Sequence, residues 1–136
     1  MNLTFSIVMC GGSIHGRYLI QKLIDNSLKP KYVIIEKCTK RSKRHKDFLK
    51  NANTNIPSID NLLQTISTEI YEVNDYNSQI SIDILKNNKV DYGVNGGADI
   101  FSEELLKTVN KCFLNAHPGL LPDYRGLDPV LWTLLE

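Results

Sequence analysis

Cys112-Phe113-Leu114-Asn115-Ala116-His117-Pro118-Gly119-Leu120-Leu121-Pro122 reads as a short apolar strand running into a stiff loop. In an extended chain, residues two apart share a face, so Asn115 and His117 are expected to project together from the carboxyl end of the strand. Pro118 holds His117 to extended conformations and blocks a helix there. Gly119 permits a sharp turn and Pro122 stiffens the exit. An amide and an imidazole held side by side can both donate hydrogen bonds to a carbonyl oxygen that gains negative charge. The plain alternative is a stiff loop with a buried, hydrogen-bonded His and a strand-end Asn.

Working outward, the 136 residues are enough for one ordinary domain, and 42% hydrophobic content can build a core. The formal net charge of +1 singles out no partner. No apolar run is long enough to span a bilayer, and Met1-Asn2-Leu3-Thr4 lacks the basic start of a secretory signal. Cys10, Cys38 and Cys112 form no close pair, which reads as reduced thiols in a cytoplasmic protein, without a disulfide framework or a zinc site. No metal-ligand cluster is visible.

Phe5 to Cys10 is a continuous apolar run suited to a buried strand. Gly11-Gly12-Ser13 breaks it, and Ile14, Tyr18, Leu19, Leu23 and Ile24 then recur at helical spacing to about Asn26. Strand, glycine turn and helix open a nucleotide-binding type of α/β unit, but Gly11, Gly12 and Gly16 do not make G-x-G-x-x-G. Tyr32 to Ile35 is a second strand. A basic run follows, Lys37 to Lys46, read as a solvated face or as an attractor of a phosphorylated or nucleotide-linked substrate. It carries no interleaved aromatics, which argues against a nucleic-acid partner. Phe48 and Leu49 suggest a short helix. Ser58 can cap a helix carrying Ile59, Leu62, Leu63 and Ile66. Glu69 to Val73 alternates like an edge strand. Asn74 to Ser78 reads as a turn and cap before a helix with Ile80, Ile84 and Leu85. Val90 to Asn95 is the next strand, and Gly96-Gly97 after it permits a turn or close approach of a ligand. Ser102 caps a helix with Leu105, Leu106 and Val109 as its apolar face. Asp128-Pro129 starts a last helix, in which Trp132 is expected to pack in a core or interface.

Strands and helices alternate throughout, so the expected fold class is α/β, a doubly wound and mostly parallel, Rossmann-like sheet. The five strands are expected near 4–10, 31–36, 69–73, 90–95 and 112–116. In such sheets ligands bind beyond the carboxyl ends of the strands, so the loops after the first, fourth and fifth strands should converge.

The run Asn115-Ala116-His117-Pro118-Gly119-Leu120-Leu121-Pro122, followed by Tyr124-Arg125-Gly126, resembles the signature loop of the folate-dependent formyltransferases, and the order of strands and helices resembles that family more loosely over the whole chain. The resemblance implies transfer of a formyl group from N10-formyltetrahydrofolate to a primary amine of a small substrate, without a metal. It nominates Asn115 and His117 as catalytic, Asn95, Gly96, Gly97 and Ile100 as the surface for the folate, and Gly11, Gly12 and Ser13 as the acceptor side. The first turn lacks the Gly-Thr-Pro usual in methionyl-tRNA formyltransferases, and Gly119 with Gly126 to Trp132 is most similar to the amino-sugar branch. The expected acceptor is therefore a nucleotide-linked amino sugar, with glycinamide ribonucleotide or methionyl-tRNA as alternatives. The family completes its site with an Asp a few dozen residues beyond this loop, and Asp128 is too close to be it. Residues 1–136 are thus expected to be the N-terminal part of a catalytic domain, with its C-terminal part missing and little activity alone. An inactive folate- or nucleotide-binding fragment, and an unrelated dinucleotide-binding domain using Glu36, stay open.

Overall fold

A computed structural model of the chain describes residues 3–37, 55–119 and 121–123. Among the described residues, five parallel strands form one sheet in the order β3-β2-β1-β4-β5: β1 Phe5–Cys10, β2 Tyr32–Glu36, β3 Glu69–Val73, β4 Tyr92–Asn95 and β5 Cys112–Leu114. Between them run α1 Ile14–Asp25, α2 Ile59–Ile66, α3 Gln79–Asn87 and α4 Glu103–Leu106. The doubly wound α/β expectation holds, and β3 lies at an edge as its alternating sequence suggested.

The strands in the middle are apolar on both faces because helices cover both. On one face Ile7, Met9, Val33 and Ile35 pack with Ile20 of α1 and Leu62, Leu63 and Ile66 of α2. On the other, Val8, Tyr32, Ile34 and Val73 pack with Ile82 and Leu85 of α3, and with Val90, Leu105 and Val109. Full burial of one such aliphatic side chain contributes about 1.5–3 kcal/mol.

Local chemistry sets the helix starts. Ser13 Oγ accepts from the Gly16 N–H at 3.1 Å, Ser58 Oγ from Asn61 at 3.3 Å and Ser102 Oγ from Leu105 at 3.2 Å. Ser78 holds the N-cap position of α3 without a side-chain cap bond; its hydroxyl faces that of Ser81 at 3.4 Å.

Several helix faces differ from the periodicity reading. Tyr18 is 53% exposed, and the buried positions of α1 are Gly16 and Ile20. In α3 the buried positions are Ser81, Ile82 and Leu85, while Ile80 is exposed. α4 is only four residues long, because Thr108 Oγ1 donates to the Leu105 carbonyl at 2.6 Å and its N–H takes the same oxygen. Leu106 is therefore exposed, and Val109 is buried from beyond the helix.

At the amino ends of the strands Asp91 joins three elements. Its Oδ2 accepts from the Thr4 N–H at 2.8 Å and the Thr4 hydroxyl at 3.0 Å, and its Oδ1 accepts from Asn110 at 3.3 Å. These bonds, the Thr4 backbone bond first, hold its carboxyl below the usual range. Lys37 pairs with Glu72 at 3.0 Å. The rest of the basic run, the short helix at Phe48-Leu49, Cys38, Leu120, Tyr124 to Gly126 and the helix expected after Pro129 lie outside the described residues.

Candidate functional site

β1 lies between β2 and β4, so the chain leaves β1 toward one side of the sheet and β4 toward the other. A crevice opens at such a reversal, beyond the carboxyl ends of the strands. The Gly11–Ser13 turn after β1 and the Gly96–Ile100 loop after β4 meet there. A Cβ on Gly97 would stand 1.9 Å from Ser13 Oγ, and one on Gly16 would stand 2.4 Å from the Gly96 carbonyl oxygen. The expected convergence of these two loops is thus direct contact.

That contact assigns the glycines a task inside the protein. Gly97 has φ +86°, a left-handed conformation that suits glycine. A side chain on Gly96 would strike Met9 Cβ at 2.7 Å and Ile7 Cγ2 at 2.9 Å. Both residues are required by packing against β1 and the first turn.

In the first turn, Gly11 N–H donates to the Glu36 carbonyl at 3.0 Å and Ser13 N–H to the Cys10 carbonyl at 2.9 Å. Ser13 is buried, and its hydroxyl caps α1 beneath Gly97. Gly11 and Gly12 are half-buried. Asn95 shapes the second loop: its Oδ1 accepts from the N–H groups of Gly97 at 2.9 Å and Ala98 at 2.8 Å, and its Nδ2 donates to the Ala98 carbonyl at 3.2 Å. This is an Asx turn, in which a side chain substitutes for backbone. Farther along, Ile100 is 84% exposed.

β5 pairs in parallel with β4, the last pair being Val94 with Leu114. Asn95 and Asn115 are the next residues on each, so the β5 loop leaves the sheet beside the β4 loop. β5 ends at Leu114, which places Asn115 and His117 in the loop rather than on a strand. Strand alternation therefore does not orient them as the sequence reading expected. Asn115 is exposed and His117 half-buried.

Sequence reasoning passed over three residues of this region. His15, exposed in the first turn of α1, has its Cβ 3.3 Å from the position of a Gly97 Cβ. Tyr76 and Asn77, in the turn between β3 and α3, bond to the β4 loop. Nothing in local sequence links residues 76–77 with 99–102. Glu36, the carboxylate a dinucleotide site would need, accepts from the Tyr76 N–H at 3.2 Å. Among the described residues no group of three or more His, Cys, Asp or Glu could hold a metal ion, and no helix is long and apolar enough to cross a membrane.

The profile of one protein family, described as formyl transferase, matches residues 5–136. No curated protein matches the chain in sequence. Among solved structures, phosphoribosylglycinamide formyltransferase from Anaplasma phagocytophilum is similar with a TM-score of 0.63 at 19% identity, over 99% of this chain and 59% of that one. Glycinamide ribonucleotide transformylase 1 from Symbiobacterium toebii gives 0.65 at 18%, over 98% and 60%. An isoflavone reductase gives 0.57 at 20%, over 98% and 43%. At these identities the structural likeness establishes the fold alone, as the presence of a reductase among them makes plain.

Proposed function

The chain belongs to the formyl transferase family, and from that premise we propose that its protein transfers a formyl group from N10-formyltetrahydrofolate to a primary amine of a small substrate. The single observation that carries the reading is the family match across residues 5–136, which includes the Asn115–Pro122 loop. The chain spans about six-tenths of the length of the two formyltransferases it resembles in fold. The reading takes residues 1–136 as the N-terminal part of a catalytic domain.

N10-formyltetrahydrofolate supplies an activated formyl carbon. In this reading Asn95, Gly96, Gly97 and Ile100 receive its ring, with backbone groups of the Asx turn on one side and the exposed Ile100 on the other. Gly11, Gly12 and Ser13 border the acceptor, Ser13 acting through the turn it caps. The amine attacks the formyl carbon, and the carbonyl oxygen gains negative charge. Asn115 donates its amide N–H to that oxygen. His117 donates a second bond and relays the proton that leaves the amine to N10, so that the oxyanion collapses to a formamide as the bond between N10 and the formyl carbon breaks and tetrahydrofolate departs. The loop, and not a strand, must present both groups, so its prolines carry the rigidity that a strand would have supplied.

A nucleotide-linked amino sugar is the acceptor that Gly119 and the Gly126–Trp132 segment favour. Glycinamide ribonucleotide is the second reading, supported by the names of two structures of the same fold. The cytoplasm stays the proposed location, supported by three cysteines without a close pair.

The test is formyl transfer with each amine in turn, using the protein that carries this chain, beside its Asn115→Ala and His117→Ala variants. Loss of one oxyanion donor should lower turnover roughly a hundred- to a thousand-fold. Full activity of His117→Ala would remove the loop from the chemistry, and saturable binding of NAD with none of a folate would overturn the family's donor for this protein.

A further inference from the structure

The loop after β4 is held from outside as well as by Asn95. Tyr76 Oη accepts from the Asp99 N–H at 3.1 Å. Asn77 uses both ends of its amide: Oδ1 accepts from the Ser102 N–H at 2.7 Å, and Nδ2 donates to the Ile100 carbonyl at 3.1 Å. The turn that carries them is itself fastened. Asn77 N–H donates to Asp75 Oδ1 at 2.8 Å, and Tyr76 N–H donates to Glu36 Oε2 at 3.2 Å. The Tyr76 ring is buried and stands edge-on to Phe101, with centroids 5.5 Å apart. Phe101 in turn packs on Phe113 at 5.0 Å.

We propose that Tyr76 and Asn77 are positioning residues for the folate donor, holding residues 99–102 in the shape that receives it. The proposal rests on the reading that the donor binds along the Asn95–Ile100 loop. Asp99 and Ile100 are exposed, so packing against the body of the protein does little to fix them. Asn95 sets the loop only as far as Ala98. From Asp99 onward its backbone is ordered by bonds from a turn more than twenty residues earlier in the chain. A ligand that meets an ordered loop loses less affinity to ordering than one that must organise it. Glu36 extends the same arrangement: its carboxylate holds Tyr76 while its carbonyl holds Gly11, so the end of β2 fastens the first turn and, through Tyr76, the loop after β4.

The experiment measures binding of 5-formyltetrahydrofolate, a stable folate probe, to the wild-type protein and to Tyr76→Phe, Asn77→Ala and Ile20→Val. Tyr76→Phe keeps the ring against Phe101 and removes the hydroxyl that accepts from Asp99. Ile20→Val is the stability control, since it thins the core on the other face of the sheet. Tyr76→Phe, which removes one bond to the loop, should weaken the probe roughly 3- to 10-fold, and Asn77→Ala, which removes two, by at least as much. Amide exchange should quicken at Asp99 in the first and at Ser102 in the second. In turnover, KM for the folate should rise while KM for the amine stays put. Wild-type affinity in both variants, or an equal loss in Ile20→Val, overturns this inference alone. A wild-type protein that does not bind the probe overturns the donor-site reading, and this inference with it.

Discussion

Gly97 and Ser13 depend on each other although more than eighty residues separate them. A methyl group on Gly97 would meet Ser13 Oγ at 1.9 Å and would also occupy a left-handed backbone. Gly97→Ala should cost about 1–3 kcal/mol, as such strain usually does. Ser13→Gly should cost only a few tenths, because glycine is an adequate N-cap. In the double variant the clash is relieved while the backbone strain remains. Denaturant unfolding of the cycle should therefore give a coupling of at least about 0.5 kcal/mol, and strict additivity would refute the contact. At the amino ends of the strands Asp91 binds Thr4 and Asn110 through its carboxylate. Its carboxyl is depressed in the folded state, so the stability it contributes is present above the unfolded value, about 3.9, and is lost as pH falls through the folded one. Asp91→Asn should flatten the acid limb of stability against pH and leave its slope above pH 6 unchanged. An acid limb identical to wild type would count against the Thr4 bonds as its cause. Only part of this was legible beforehand. Ser13 stood directly before a helical run, but its meeting with Gly97 is long-range.

Among the described strands, β3 and β5 end the sheet, and β3 shows how an edge can be guarded. It is an edge strand, and unpaired backbone along an edge invites pairing with another chain. Glu69 and Glu72 are exposed on it, Glu72 bonding Lys37 and Glu69 bonding Tyr71, beside an Ile70 that is 37% exposed. Glu72→Val should leave the fold intact and raise self-association, seen as a concentration-dependent sedimentation coefficient. A variant that stays as monodisperse as the wild type would show that the charge does not guard the edge. The edge character of β3 was readable from its alternation, since a strand covered on both faces has no reason to alternate. The rotation of α1 and α3 was not. Periodicity names the apolar residues of a helix, but where a helix docks decides which of them are buried, and Tyr18 and Ile80 ended in solvent.

At the scale of the whole molecule, the sheet divides the core in two. Ile20 belongs to one cluster and Leu85 to the other, and both are fully buried. Ile20→Ala and Leu85→Ala should each cost about 2–5 kcal/mol. Because they share no partner, the losses should add within about 0.5 kcal/mol. A larger departure would mean that the two layers communicate through β1 and β2.

The amino-acid sequence by itself determined the alternation of strands and helices, the parallel α/β class, the Asn115–Pro122 loop and the family to which these point. Each follows from a local signal: apolar runs, helical spacing, caps and a dense motif. The tertiary structure alone decided the strand order, and with it the closure of the β4 loop onto the first turn. It also decided that β5 stops at Leu114, so that a loop and not a strand holds Asn115 and His117. The tie from Tyr76 and Asn77 to residues 99–102 arose there as well. The physical reason is common to all of these. Local sequence sets backbone preference over a few residues, whereas steric contact and hydrogen bonding between loops far apart in the chain exist only once the sheet has brought their strands together.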